Sequence, residues 1–188
     1  MHPQLRAIAD EFQSARERLH RLASTLPDHL WRERPDPTRW SAAECVAHLN
    51  LTSAAFLPLL RAGLEQARTL LEPPPRRFRH DPLGWLLWRS MGPPARLRTK
   101  TAASFVPAGT WSAAADLVEE FERLQSAQVA CVEQADGLPL GRVRIASAFD
   151  PRVKYNLFSC LSILPRHQHR HLWQAEQVEQ RLLPGSVE

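Results

Sequence analysis

Hydrophobic residues recur along four long stretches of the chain at spacings of three, four and seven, with polar residues between them. This period is typical of a helix with one buried face, because each residue turns about 100° around the helix axis. In the first stretch the buried positions include Leu5, Ile8 and Phe12. The pattern predicts four long helices, over residues 3–26, 41–68, 112–135 and 153–183.

Local signals mark where these helices begin and end. Pro27 ends the first helix, and Ser41 can cap the second while Glu44, three residues later, completes a capping box. Pro58 removes a backbone hydrogen bond from the second helix and is expected to kink it. Gly137 follows the third helix and supplies its stop signal.

The connections between the helices are less regular. Residues 73–110 form a long, proline-rich insertion between the second and third long helices, with a short helix predicted over Pro82–Met91. A connection of this length inside a compact domain usually has a structural or functional role. Before the last helix, Val143 and Ile145 alternate with polar residues, so this run is either a short strand or an extended loop.

Length and composition favour one globular domain over residues 1–188. The chain is 44% hydrophobic and has a net charge of +4, and only Lys100 and Lys154 of its 24 basic residues are lysines. The arginines do not collect on one helix face, so a nucleic-acid-binding surface is not favoured. The three cysteines are odd in number and widely spaced, which argues against a disulfide framework.

No segment predicts a membrane anchor or a secretion signal. The N-terminus is charged and amphipathic rather than a basic segment followed by an apolar run. The longest apolar cluster, LGWLLW at 83–88, is far shorter than the roughly 20 residues that span a bilayer. A cytoplasmic location is therefore expected.

Three histidines at alternate positions, His167, His169 and His171, lie in the last predicted helix. Helical geometry places His171 within roughly 30° and His167 within about 70° of the centre of the apolar stripe. His169 lies roughly 130° away and is expected to face solvent. Histidines four residues apart share a helix face and can hold one metal ion. The alternative is one ordinary core histidine and one exposed histidine.

His48, in the second helix, is a candidate third ligand. It lies on or beside the apolar stripe, where an unpaired imidazole requires a partner. Two histidines from one helix and one from another leave a position open for water or substrate, as in catalytic zinc sites. Glu44 is either a further ligand or only the capping residue, and Cys45 is either a ligand or a core residue.

Two motifs carry a resemblance to a known family. WSAAECVAHL, residues 40–49, and HQHRHLWQ, residues 167–174, are similar to motifs of the DinB-like, YfiT-like superfamily. The resemblance implies an all-α, up-down-down-up four-helix bundle, homodimerisation, and a divalent metal ion, often zinc or nickel, held by His48, His167 and His171. Better-understood branches are thiol-dependent transferases and isomerases that use bacillithiol, mycothiol or glutathione.

The chain departs from the family pattern in two places. Pro165 lies inside the helix that must orient both histidines of the late motif, where it removes a hydrogen bond and is expected to bend the backbone. The 73–110 insertion is also longer than a minimal bundle requires. The insertion either covers the metal, forms a partner surface, or does neither.

These features favour a metal-dependent enzyme, either a thiol-dependent transferase or a hydrolase, in which the ion lowers the pKa of a bound thiol or water. Arginines near the cavity can hold carboxylates of an anionic substrate, or can simply be solvated. The candidates are Arg76, Arg77, Arg89, Arg96 and Arg98. The alternative function is a non-catalytic metal-binding or protein-docking module. Trp85 and Trp88 would then form an interface, unless they close the protein's own core.

Overall fold

The computed structural model of the protein describes residues 1–73, 75–94, 101–109 and 113–183. Helices dominate these residues, which confirms the predicted all-α class apart from one small hairpin. The α-helices and strands in chain order are α1 (Pro3–Thr25), α2 (Ala42–Arg68), α3 (Pro82–Ser90), α4 (Ala114–Gln134), β1 (Arg144–Ala146), β2 (Lys154–Asn156) and α5 (Leu157–Leu182). Two short 3-10 helices cover Asp28–Leu30 and Ala103–Phe105. The predicted first residue of the third long helix, residue 112, lies outside the described residues.

Two buried hydrophobic clusters, one at each end of the bundle, fix the directions of the long helices. The first cluster joins the N-terminal halves of α1 and α5 to the C-terminal halves of α2 and α4. The second cluster joins the opposite halves of the same four helices. Since α1 and α5 therefore run against α2 and α4, the bundle has the up-down-down-up order that the resemblance implies.

The second helix begins where the sequence predicts. The Ser41 hydroxyl accepts the backbone N–H of Glu44 at 3.2 Å, and the Glu44 carboxylate accepts the N–H of Ser41 at 2.8 Å, so the capping box is present. By length and composition α2 could also cross a membrane, but 72% of its most apolar 18-residue segment is buried inside the protein. This burial is typical of a helix in a protein core.

The predicted start of the last helix is wrong. Residues 153–156 are not helical, because β2 pairs antiparallel with β1 and buries Tyr155 opposite Ile145. The side chain of Asn156 then caps α5 by accepting the backbone N–H of Ser159 at 2.8 Å. The alternating run before it therefore contains a strand rather than only an extended loop.

The described part of the insertion covers one side of the bundle. Helix α3 packs against α5 and β2. Gly84 of α3 approaches Ser159 of α5 so closely that a methyl group on Gly84 would overlap the serine side chain. The indole of Trp88 stacks on His80, and the guanidinium of Arg166 lies 4.3 Å from its ring centroid. Trp88 therefore closes the protein's own core, whereas Trp85 is 51% exposed.

Candidate metal centre

The structure brings His48 of α2 together with His167 and His171 of α5. The Nε2 atoms of His48 and His167 are 3.4 Å apart, and those of His171 and His167 are 3.1 Å apart. Candidate ligand atoms of all three residues lie within 4.8 Å of one another, and all three side chains are buried. Two motifs more than a hundred residues apart thus meet at one point.

The spacing of these nitrogen atoms suits a divalent metal ion. With metal–nitrogen distances of about 2.0–2.1 Å in a tetrahedral site, two ligand nitrogens lie about 3.3–3.4 Å apart, close to the observed spacings. A cation between the rings accepts three lone pairs at once, which a single shared proton does not. The donor set therefore fits a three-histidine site with a coordination position left for water or a small ligand.

Hydrogen bonding fixes the tautomer of His48. Its Nδ1 lies 2.8 Å from the carbonyl oxygen of Phe105. A carbonyl oxygen can only accept, so Nδ1 carries the proton and the Nε2 lone pair points toward the other two rings. Nδ1 of His171 is buried without a hydrogen bond of ordinary geometry to the described residues, although the Gln174 side chain interacts with this ring.

Burial keeps the three imidazoles neutral. It lowers the pKa of His48, against the opposing effect of the Phe105 carbonyl. Burial, with smaller contributions from His48 and Arg170, lowers the pKa of His167 to about 3. It also lowers the pKa of His171 well below its usual value, with His167 contributing next. Neutral imidazole is the form that binds metal ions.

Aromatic rings enclose the three histidines. The Trp40 ring lies 5.1 Å from His48 and 6.0 Å from His171, between ring centroids. On another side, Phe149 lies 5.8 Å from His167 and packs against Phe105 at 4.6 Å. These apolar walls limit water access to the nitrogen atoms, which strengthens electrostatic interactions between them and a bound ion.

Pro165 does not separate the two histidines of the late motif. It is buried within α5, which continues as one helix from Leu157 to Leu182. His167 and His171, which follow the proline, still converge on His48. The lost hydrogen bond therefore lies before the segment that positions the candidate ligands.

The prediction that His169 faces solvent is wrong. The residue is half-buried against α1: its Nδ1 lies 2.9 Å from Nη1 of Arg18, and its Nε2 lies 3.0 Å from the carbonyl oxygen of Glu11. Arg18 also forms an ion pair with Glu176 at 2.6 Å. A helix that contacts neighbours on two sides buries part of its polar face, which an apolar stripe alone does not reveal.

The structure assigns non-ligand contacts to Glu44 and Cys45. The Glu44 carboxylate pairs with the guanidinium of Arg34 and closes the capping box on Ser41. Cys45 is buried in the second hydrophobic cluster, where burial raises the pKa of its thiol to about 12. Neither residue belongs to the converging group of histidines.

One basic residue beside the site, Arg170, was not among the predicted candidates. Arg170 is buried and close enough to lower the pKa of both His167 and His171. Of the five arginines predicted as candidates, Arg76, Arg77 and Arg89 are exposed, and Arg96 and Arg98 lie outside the described residues. The signal for Arg170 was its place between the two histidines of the late motif. Phe105 gave no such signal, because it contacts His48 from a distant part of the chain.

Comparison with known proteins agrees with this arrangement. No curated protein and no solved structure matches the chain. The sequence model of the DinB superfamily, however, matches residues 11–175, which include both histidine motifs and all four long helices apart from their outer ends. The three-histidine bundle described above is therefore that of a member of the DinB superfamily.

Proposed function

We propose that the protein is a divalent-metal-dependent enzyme, a thiol-dependent transferase or a hydrolase, whose ion is held by His48, His167 and His171. The observation that carries this proposal is the convergence of three buried Nε2 atoms at spacings of 3.1 and 3.4 Å. Such an ion lowers the pKa of a thiol or water bound at its open position and so supplies a nucleophile at neutral pH.

The surrounding residues orient the site and favour an anionic ligand. The Phe105 carbonyl holds the His48 ring in the tautomer that leaves Nε2 free. Trp40 and Phe149 keep water from the histidine rings. The buried guanidinium of Arg170 donates to the carbonyl oxygen of Ser90 at 3.3 Å, and its positive charge near two of the histidines favours a thiolate or a carboxylate.

Zinc and nickel are the ions we propose, since both bind imidazole nitrogens well. A low-molecular-weight thiol such as bacillithiol, mycothiol or glutathione is the co-substrate that family resemblance favours. We also propose a cytoplasmic location and a homodimer, in line with the family resemblance and the absence of disulfides among the three buried cysteines.

The test is turnover in metal-loaded protein against chelator-treated protein. A screen pairs each thiol with electrophilic substrates, and a parallel screen without thiol measures ester and amide hydrolysis. We expect activity that is lost with chelator and in His171→Ala, restored by zinc or nickel in the wild type, and retained in the matched control His169→Ala. A turnover rate that is unchanged both by the chelator and in His171→Ala would exclude the metal mechanism.

A second candidate function is a docking module. Helix α3 exposes Trp85 and Leu86, at 51% and 56% of their surfaces, which is unusual for large apolar side chains on one short helix. Two variants, His171→Ala and Trp85→Ala, separate the docking function from the enzymatic one. A docking module would lose partner binding or self-association in Trp85→Ala and would be indifferent to His171→Ala.

A further inference from the structure

An apolar cavity of about 170 Å³ lies beside the candidate metal centre. Its walls come from four parts of the fold: α2, α3, the β1–β2 hairpin with its turn, and α5. His167 lines it together with Phe56, Leu87, Met91, Phe149 and Ile163. His167, a candidate metal ligand, therefore forms part of the cavity wall.

Polar groups in the cavity wall have partners in the protein. The Thr52 hydroxyl donates to the carbonyl oxygen of His48 at 2.8 Å. The Tyr155 hydroxyl interacts with the side chains of Ser147 and Cys160, and the Asp150 carboxylate accepts a hydrogen bond from Arg152 at 2.9 Å. Because these groups are already paired, the surface left to a ligand is hydrocarbon and aromatic.

The insertion gives the cavity its outer wall. Leu87 of α3 and Met91, the residue that follows this helix, line the cavity. Helix α3 is anchored to α5 by the close approach of Gly84 to Ser159 and by the contact between Trp88 and Arg166. Because α3 is held in this way, the volume of the cavity is fixed. This gives the 73–110 insertion a role at the site, because without α3 this wall of the cavity would be missing.

We infer that the substrate carries a ring-sized apolar group, which occupies this cavity while its reacting polar group lies at the three histidines. The inference rests on the proposed function, since it assumes that the substrate is brought to the metal. The size supports a single ring or a short branched alkyl group, because a cavity of about 150 Å³ lined by hydrocarbon binds benzene. A long chain or a strongly polar group does not fit these walls.

The chain offers a selective reporter for this test. It contains only two methionines, Met1 and Met91, and Met91 lines the cavity whereas Met1 lies at the N-terminus. Labelling methionine methyl groups with carbon-13 therefore gives one signal in the cavity and one internal control. Addition of benzene to the zinc-loaded protein should shift the Met91 signal saturably and leave the Met1 signal in place.

Two variants on α3 provide the matched comparison. Leu87→Trp fills the cavity and should abolish the benzene-dependent shift, whereas Leu86→Trp, at an adjacent exposed position, should retain it. If Leu87→Trp does not fold, Met91→Trp takes its place as the cavity-filling variant. Because Met91→Trp removes the reporter methionine, benzene binding is then followed by the NMR signal of benzene itself and should be lost. In the wild type, phenylmethanethiol should bind at least about tenfold more tightly than 2-mercaptoethanol, since burial of a ring contributes roughly 1.5 kcal/mol or more. That preference should be lost in Leu87→Trp.

The outcomes separate the cavity from the metal mechanism. Zinc binding with no Met91 shift, or with equal affinity for the two thiols, would overturn the substrate assignment and leave the metal centre intact. Failure of the protein to bind zinc, nickel or manganese would overturn the proposed function and the substrate assignment with it.

Discussion

At the scale of single residues, the candidate site depends on neighbouring groups as well as on the three histidines. The tautomer of His48 is set by the carbonyl oxygen of Phe105, and the charge beside His167 and His171 comes from Arg170. The three histidines are the candidate donors, and these neighbours influence which nitrogen is free and which charge a ligand meets.

The capping box gives a prediction at this scale. Ser41→Ala removes the side-chain acceptor for the Glu44 N–H and should lower the free energy of unfolding by about 1 kcal/mol. Urea denaturation followed by circular dichroism measures this change. Ser24→Ala, at an exposed helical position, is the control and should stay within about 0.5 kcal/mol of wild type. Equal stability of the two variants would show that the cap contributes little.

Short-range spacing made some of these residues predictable. The capping box of Ser41 and Glu44 and the shared face of His167 and His171 follow from separations of three and four residues. The contact of Phe105 with His48 depends on how the chain folds back over the bundle, and the burial of His169 depends on the position of α1. Neither can be derived from local spacing.

At the scale of elements, α3 and the small hairpin build the wall of the site that a bare four-helix bundle lacks. Long helices were predictable from their periodicity, but the beginning of α5 was not. Tyr155 and its neighbours are extended because they pair with a strand earlier in the chain, and this pairing overrides the helical pattern that follows. The packing of α3 on α5 likewise depends on one glycine whose purpose no pattern shows.

That glycine provides the prediction at this scale. Gly84→Ala places a methyl group inside the van der Waals surface of the Ser159 side chain, so α3 cannot keep its position. We expect a loss of about 1–3 kcal/mol in the free energy of unfolding, the usual effect of overpacking. Thermal or chemical denaturation measures the loss.

Gly141 is the matched control for this change. A methyl group on Gly141 would have no heavy atom within 4 Å, so Gly141→Ala should leave stability close to wild type. If Gly84→Ala proved as stable as Gly141→Ala, the close packing of α3 against α5 would be wrong.

At the scale of the whole molecule, the site lies at the boundary between the two hydrophobic clusters. Along α5, His167 and His171 lie between Leu164 of the first cluster and Leu172 of the second. The same middle layer holds a buried amide network, in which Gln168 accepts from Gln125 at 2.9 Å and donates to Gln128 at 3.0 Å. Since the apolar clusters at both ends hold the four helices together, the histidines are available for chemistry without being required for folding.

This division of roles leads to the central measurement, metal content by plasma mass spectrometry on protein purified without a histidine tag. Wild type should contain about one equivalent of zinc or nickel, as a single three-histidine site requires. His48→Ala and His171→Ala should lose the metal while keeping wild-type helicity, and His169→Ala should keep it. Wild-type protein that contains no metal and takes up no zinc, nickel or manganese would contradict the account, as would metal retained in both ligand variants.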